Sequence, residues 1–269
     1  MVQRLITGSA LTLGLIALLY LGGWVFTIVA CLCFTVAIRE ELHALEQGGH
    51  KPLHWVSYAT LYVSAPLMMV YSYVVMIPIL TVFAFVTLLL IMRRQEPNLV
   101  DVMVSVLPML TVVLPGMCIY GIAAAQPRSM QLFLLVLLFV VSIGGDTFAY
   151  FAGVLIGGQK LCPRISPKKT VSGALGGLLA SILLAMLVGW IFTRSVPEVQ
   201  FPPYWANLLV GLFGGIAGQM GDLFASMVKR HCGVKDFGHW LPGHGGMLDR
   251  MDSIVFTAII VYCYRVILL

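Results

Sequence analysis

Long apolar runs constrain this chain more than any other feature of its sequence. A helix needs about 20 apolar residues to cross the hydrocarbon core of a bilayer. The sequence contains nine stretches near that length, with rough limits 5–21, 24–38, 55–72, 74–92, 102–122, 131–153, 172–193, 205–228 and 252–268. Because 55–92 is a single apolar stretch, it must turn once, and we place the turn near Tyr71 to Tyr73. We therefore predict an all-α, polytopic integral membrane protein with about nine transmembrane helices.

The composition supports this class and excludes others. Hydrophobic residues make up 60% of the chain and charged residues only 10%, whereas a soluble domain averages about 25% charged residues. The six cysteines form no C-x-x-C pair, so we expect buried side chains and not a zinc site or a disulfide framework. The net charge of +5 comes from short basic loops, which favour anionic lipid or substrate as the partner and not nucleic acid.

The distribution of basic residues predicts the orientation. With the N-terminus in the cytoplasm, the cytoplasmic segments hold 13 of the 16 lysines and arginines, an excess that obeys the positive-inside rule. We predict N-terminal transmembrane helices over 1–130 and a catalytic region over 131–269, whose cytoplasmic loops are 157–171 and 229–250. The segment 39–54 is predicted as a wet interfacial segment whose helical part ends at Gly48-Gly49, and its three histidines are not predicted to bind metal.

Four aspartates stand out because a carboxylate within a membrane span is costly and so suggests a function. Asp146 and Asp222 follow glycines, which let a helix or a ligand come close. Asp249 and Asp252 share one face at the start of the last span. Carboxylates of this kind suit Mg²⁺, which binds one or two of them together with substrate phosphates. The alternatives are helix-packing ion pairs for the first two and N-terminal capping for the last two.

Two basic loops could bind phosphate. In the first, 157–173, Ser166-Pro167 forms a turn and Thr170 could cap the next helix, which would bring Lys168, Lys169 and the first helix amides to one place. The alternative is a loop that only sets topology. The second loop follows Lys229 and Arg230 and contains glycines beside His244, which could expose backbone amides to an anion. His244 could instead be a structural turn residue, and neither common nucleotide fingerprint is present.

Three blocks resemble one known family. The spacing S-x-x-K-R-x-x-x-x-K-D-x-G-x-x-x-P-x-H-G-G-x-x-D-R-x-D, from Ser226 to Asp252, is similar to the signature of the phosphatidate cytidylyltransferases. D-T-F-A-Y-F-A-G (146–153) and S-P-K-K-T-V-S-G (166–173) look like two further blocks of that family in the expected order. The chain departs from the family pattern at Ala225 and Ser172, where many relatives have acidic or amide residues. Any ligand role at those two positions is therefore in doubt.

The resemblance implies transfer of CMP from CTP to phosphatidic acid, which yields CDP-diacylglycerol and pyrophosphate for phospholipid biosynthesis. It implies a multi-pass enzyme of the inner (plasma) membrane whose site faces the cytoplasm and meets CTP, phosphatidic acid and membrane lipids. It also implies Mg²⁺, with room for a second ion such as K⁺, and a homodimer. The alternatives are a cytidylyltransferase for another lipid phosphate and a membrane transporter with intramembrane carboxylates.

The same resemblance assigns roles by position. It makes Asp222 and Asp249 the best metal ligands, with Asp146 and Asp252 as supporting ligands. The catalytic residues would be Asp222, Asp249, Lys229, Arg230 and His244. The substrate phosphates would be bound by Ser166, Lys168, Lys169, Thr170, Lys235 and Arg250.

Overall fold

A computed structural model describes residues 2–240 and 245–269 of the chain. Within these residues the fold is almost entirely helical. The elements are α1 (Val2–Leu21), α2 (Gly23–Gln47), α3 (His54–Tyr71), α4 (Met76–Met92), α5 (Leu99–Pro108), α6 (Leu114–Ala123), α7 (Arg128–Leu155), β1 (Lys160–Cys162), β2 (Ser166–Thr170), α8 (Val171–Ser195), α9 (Tyr204–His231) and α10 (Leu248–Leu268). A short 3₁₀ helix, Ser72–Val75, joins α3 to α4, and a π-helical segment, Met109–Val113, joins α5 to α6.

Six helical segments of the described chain are long and apolar enough to cross a membrane: Tyr73–Met92, Leu99–Ala123, Arg128–Leu155, Val171–Ser195, Tyr204–His231 and Leu248–Leu268. They correspond to the fourth to ninth predicted spans, and the predicted all-α, multi-pass membrane class is confirmed. The predicted count of nine is not confirmed, because the first three predicted spans lie on α1 to α3. Helix α1 has 20 residues, and α3 carries three buried hydroxyl side chains, Ser57, Thr60 and Ser64.

The turn predicted inside 55–92 is found at the expected place. Helix α3 ends at Tyr71, and the short 3₁₀ helix that follows interrupts the apolar stretch before α4 begins at Met76. The end predicted at Gly48-Gly49 is also confirmed, since α2 stops at Gln47. However, α2 is one continuous helix of 25 residues, so the predicted second span and the predicted interfacial helix are parts of a single element.

The chain divides into two compact units, which are discontinuous in sequence. Unit 1 comprises Met1–Ala124 and Val228–Met251, and unit 2 comprises Ala125–Met227 and Asp252–Leu269. The predicted division of the chain at residue 130 stays a prediction. In unit 1, α2, α3 and α6 pack together. There Phe34 is fully buried and meets the edge of the Tyr120 ring, with ring centroids 6.0 Å apart.

Small residues hold the helices of unit 2 close together. A side chain at Gly177 of α8 would meet the Cβ of Ala149 on α7 at 2.7 Å, so a larger residue would force these helices apart. Gly145 lies against Ser181 of α8, and Gly221 of α9 lies against the carbonyl of Asp252 on α10. These two glycines directly precede Asp146 and Asp222, as the sequence predicted for points of close approach.

The first basic loop is more ordered than predicted. Strands β1 and β2 pair antiparallel, with Lys160 opposite Thr170 and Cys162 opposite Ser166. The predicted cap is confirmed, because the Thr170 hydroxyl accepts a hydrogen bond from the Gly173 amide at 3.1 Å at the start of α8. The hairpin therefore delivers its lysines directly before a helix N-terminus.

Candidate active site

In unit 1, a lysine–aspartate pair joins the end of α9 to the first turn of α10. The Lys229 Nζ donates to Asp249 Oδ1 at 2.6 Å, and the two side chains are only 11% and 5% exposed. The Lys229 ammonium also lies 5.2 Å from the centre of the Phe237 ring, a distance at which the ring attracts a cation. The structure thus brings together two predicted catalytic residues in a largely dry environment.

The second oxygen of Asp249 organises the loop before α10. Asp249 Oδ2 accepts from the Phe237 amide at 2.9 Å and from the Gly246 amide at 3.0 Å. A carboxylate in the first turn of a helix is also favoured by the partial positive charge of the free amides there. The contacts of Asp249 are therefore those of a helix-capping residue, which was one of the two alternatives. Its role as a metal ligand stays a prediction.

Glu40 is a site residue that the sequence analysis missed. It projects from α2, is 4% exposed, and accepts from the Met247 and Leu248 amides at 3.0 and 2.8 Å. Side chains at Gly238 or Gly246 would collide with its carboxylate. Burial raises the pKa of the Glu40 carboxyl, and the hydrogen bonds from Leu248 and Met247 counteract that rise. Glu40 therefore caps α10 from a helix about 200 residues away in sequence.

The neighbouring Glu41 is buried still more completely. It is 1% exposed, and the Thr111 hydroxyl contacts both of its carboxylate oxygens, at 2.9 and 2.7 Å. Because of this burial, the pKa of Glu41 is raised to about 7. The only sequence signal for the two glutamates was their position, since they lie between an apolar run and the helix end at Gly48.

Three described histidines of unit 1, His50, His54 and His231, contact one another or Glu46. His50 stacks on His231 with ring centroids 5.5 Å apart, and His54 lies 2.7 Å from Glu46. Across residues 2–240 and 245–269, no group of three or more His, Cys, Asp and Glu side chains is placed to hold a metal ion.

In unit 2, the first basic loop meets both intramembrane carboxylates. Lys169 Nζ lies 2.6 Å from Asp222 Oδ2, and the side chains are 25% and 32% exposed. Asp146 accepts from the Ser253 hydroxyl at 2.5 Å and also interacts with the charges of Asp222 and Lys169. The structure thus gathers Asp146, Lys169 and Asp222, which lie far apart in the sequence.

The other predicted residues have the following positions and contacts. Asp252 Oδ1 accepts from the Ser253 amide at 2.8 Å. Arg230 donates to the Val234 carbonyl at 3.4 Å, and Lys168, Lys235 and Arg250 are exposed. Ser166 begins β2, and His244 lies outside the described residues. At the two departures from the family pattern, Ala225 is buried and Ser172 donates to the Gly157 carbonyl.

Known proteins resemble this chain in sequence. The cytidylyltransferase family matches residues 2–268 of the chain. The phosphatidate cytidylyltransferase of Synechocystis sp. is 32% identical over 94% of this chain and 92% of its own length. The enzymes of that name from Brucella abortus and Bacillus subtilis are 44% and 43% identical over 133 and 123 residues. In these two comparisons the chain spans about half the length of the curated relatives, 47% and 44%.

These observations define a helical membrane protein whose carboxylates are paired with lysines in two places. The chain belongs to the cytidylyltransferase family, and the family predicted from its motifs is confirmed.

Proposed function

We propose that this chain transfers CMP from CTP to phosphatidic acid, releasing pyrophosphate and forming CDP-diacylglycerol. The observation that carries the proposal is the pair of 2.6 Å contacts, Lys229 with Asp249 and Lys169 with Asp222. Each places an ammonium group where a phosphate oxygen could share its charge and a carboxylate where a cation could bind. Proteins commonly bind phosphate groups through a lysine, whose ammonium acts as a point charge. The names of the relatives support the same reaction and the same two substrates.

The donor set fits Mg²⁺. Asp146 and Asp222 are hard oxygen donors whose charges repel each other, and a divalent cation would relieve that repulsion. We propose these two as ligands, and we retain Asp249 and Asp252 as further proposed ligands on the basis of the family resemblance. When bound, Mg²⁺ would neutralise charge on the triphosphate. A second ion such as K⁺ is part of the same proposal.

The reaction needs little proton transfer. A phosphate monoester is already an oxyanion near neutral pH, so the phosphatidate oxygen attacks the α-phosphorus of CTP without a strong base. A new P–O bond forms to the α-phosphorus, and the bond from that phosphorus to the bridging oxygen breaks, with its electron pair leaving on pyrophosphate. Catalysis then consists mainly of positioning and charge neutralisation.

The basic residues supply that positioning. We propose that Lys229 and Arg230 hold phosphate oxygens at the end of α9, with Lys235, His244 and Arg250 nearby in the sequence. Lys168, Lys169, Ser166 and Thr170 act at the start of α8, where the free amides of the first turn also attract anions.

The proposal is tested with purified protein in nanodiscs, phosphatidic acid, Mg²⁺ and each of the four nucleoside triphosphates in turn. Pyrophosphate should be released with CTP (and dCTP) only, and one CDP-diacylglycerol should form for each pyrophosphate. Cys232→Ala is the control. This thiol has no proposed role, so the activity of the variant should stay near that of the wild type. Release without phosphatidic acid, or no release with any nucleotide, would contradict the proposal.

We further propose that the protein lies in the inner (plasma) membrane as a homodimer with its site facing the cytoplasm. Native Cys162, in β1, tests the orientation because it lies in the first basic loop. An impermeant maleimide should label Cys162 in inverted vesicles and not in right-side-out vesicles, as read by mass spectrometry. Light scattering of the detergent-solubilised protein tests the dimer.

A further inference from the structure

Unit 1 contains a cavity of about 330 Å³ between the end of α2 and the segment that follows α9. One wall is a face of α2 formed by His43, Ala44 and Gln47, and the other is the run 234–239. Pockets for small molecules begin near this size, at roughly 300 Å³. The α2 wall continues the face that carries Glu40, since positions 40, 43, 44 and 47 have helical spacing.

The polar groups of this cavity suit a neutral ligand with several hydrogen-bonding atoms. The charges of Lys235 and Asp236 cancel, and the remaining polar side chains are the amide of Gln47 and the imidazoles of His43 and His239. The Gln47 amide already contacts the His43 ring, with 3.0 Å between their nitrogens. A triphosphate would require an excess of positive charge, which this wall does not have. A heterocyclic base with its sugar matches the wall better.

The cavity shares a residue with the charged pair described above. Phe237 lines the cavity, its amide donates to Asp249 Oδ2 at 2.9 Å, and its ring lies beneath the Lys229 ammonium. A ligand in the cavity would therefore end close to the group that we propose to bind phosphate. A nucleotide needs such an adjacency, because its base and sugar would occupy the cavity while its phosphates reach an ammonium group.

We propose that the cavity binds the cytidine part of CTP and that Asp236 and Gln47 recognise the base. This assignment rests on the proposed function. Cytosine presents an amino group that donates and a ring nitrogen and carbonyl that accept. The Asp236 carboxylate accepts from the amino group, and the Gln47 amide donates to an acceptor on the same edge. Uracil has a carbonyl in place of the amino group, and that carbonyl would meet the Asp236 carboxylate unfavourably.

Steady-state kinetics of pyrophosphate release test the proposal. Gln47→Ala should raise the KM for CTP roughly tenfold, the effect of one lost hydrogen bond, and leave the KM for phosphatidic acid unchanged. Asp236→Asn should lower the preference for CTP over UTP at least tenfold, because an amide can donate to the uracil carbonyl. The control is Glu96→Gln, since Glu96 is exposed and does not line the cavity.

The outcomes separate this proposal from the proposed function. An inactive wild-type enzyme refutes the proposed function, whereas an active one with unchanged CTP kinetics in both variants refutes only the cytidine site. A change in the KM for phosphatidic acid alone would assign the cavity to the lipid headgroup and overturn the proposal.

A measurement on the wild-type protein avoids any variant that fails to fold. Diethyl pyrocarbonate modifies exposed imidazoles, and mass spectrometry gives the extent at each histidine. Cytidine, which has no phosphate, should protect His43 and His239 and leave His54 equally reactive. Equal protection of all three, or of none at saturating cytidine and CTP, would overturn the proposal.

Discussion

Lys229 and Asp249 form a 2.6 Å ion pair that is almost withdrawn from solvent, although twenty residues separate them in the chain. Removing one member of such a pair leaves the other as an unpaired buried charge, which costs on the order of 3–5 kcal/mol. Loss of activity in a single variant could then reflect lost stability. The pair has to be tested so that the two effects are measured separately.

Asp249→Asn should abolish turnover while the protein still folds with a lower Tm, because the Lys229 charge loses its partner. The double variant Lys229→Gln/Asp249→Asn should recover much of the lost Tm, since no charge is left unpaired, but should remain inactive. Thermal unfolding in detergent and pyrophosphate release give the two quantities. Near-normal turnover in the folded single variant would refute the proposed role of Asp249.

Lys169 and Lys168 are adjacent, but only Lys169 lies against an intramembrane carboxylate, at 2.6 Å from Asp222. Lys169→Met should therefore reduce kcat/KM for CTP by about 100-fold or more, whereas Lys168→Met should reduce it about tenfold or less. The same assay on both variants provides the comparison, and each serves as the control for the other. Equal losses would show that contact with Asp222 does not distinguish the two lysines.

Glu40→Ala should destabilise the protein by about 1–2 kcal/mol, the usual effect of losing a helix cap. It should also lower kcat, because the amides of Met247 and Leu248 lose the acceptor that fixes the start of α10. Glu40→Gln keeps one acceptor oxygen and should lie between Ala and wild type in both measurements. Turnover equal to wild type in Glu40→Ala would show that this cap does not support the site.

Glu41 should make the stability of the protein depend on pH. The folded state retains the proton of Glu41 up to about pH 7, whereas a solvated carboxyl loses it near 4.5. The contribution of the protonated Glu41 to the free energy of unfolding is fully present below about pH 4.5. It is lost as the pH rises through about 7, a change on the order of 3 kcal/mol.

Glu41→Gln is neutral at every pH and can still accept from Thr111, so it should be more stable than wild type near pH 8.5. Near pH 5, the two proteins should differ much less. Thermal unfolding is measured at both pH values, and Glu96→Gln, at an exposed carboxylate, is the control. The same difference at both pH values would contradict the assigned pKa.

The sequence predicted those parts of the fold that depend on local patterns. The length of the apolar runs located the helices of the last six spans. The position of Thr170 directly before an apolar run predicted the helix cap. The spacing of the motifs identified the family. These inferences succeed because each depends on residues within one or two turns of each other.

The sequence did not predict contacts between distant segments. Nothing in the sequence next to Glu40 indicates that its carboxylate accepts hydrogen bonds from the amides of residues 247 and 248. Likewise, the cavity wall on α2 becomes visible only when 234–239 lies opposite it. The basic loops indicated where phosphates could bind. The hydrogen-bond and ion-pair partners of each carboxylate, in contrast, are known only from the folded structure.

The dependence of the 229–249 segment on α2 has a consequence for protein engineering. The motifs that resemble the family lie between residues 146 and 252, which invites a shortened version built from the second half of the chain. Such a fragment would lack the glutamate that caps α10 and the helical face that closes the cavity. A minimal enzyme would have to include α2, either in the same polypeptide or supplied as a separately expressed segment.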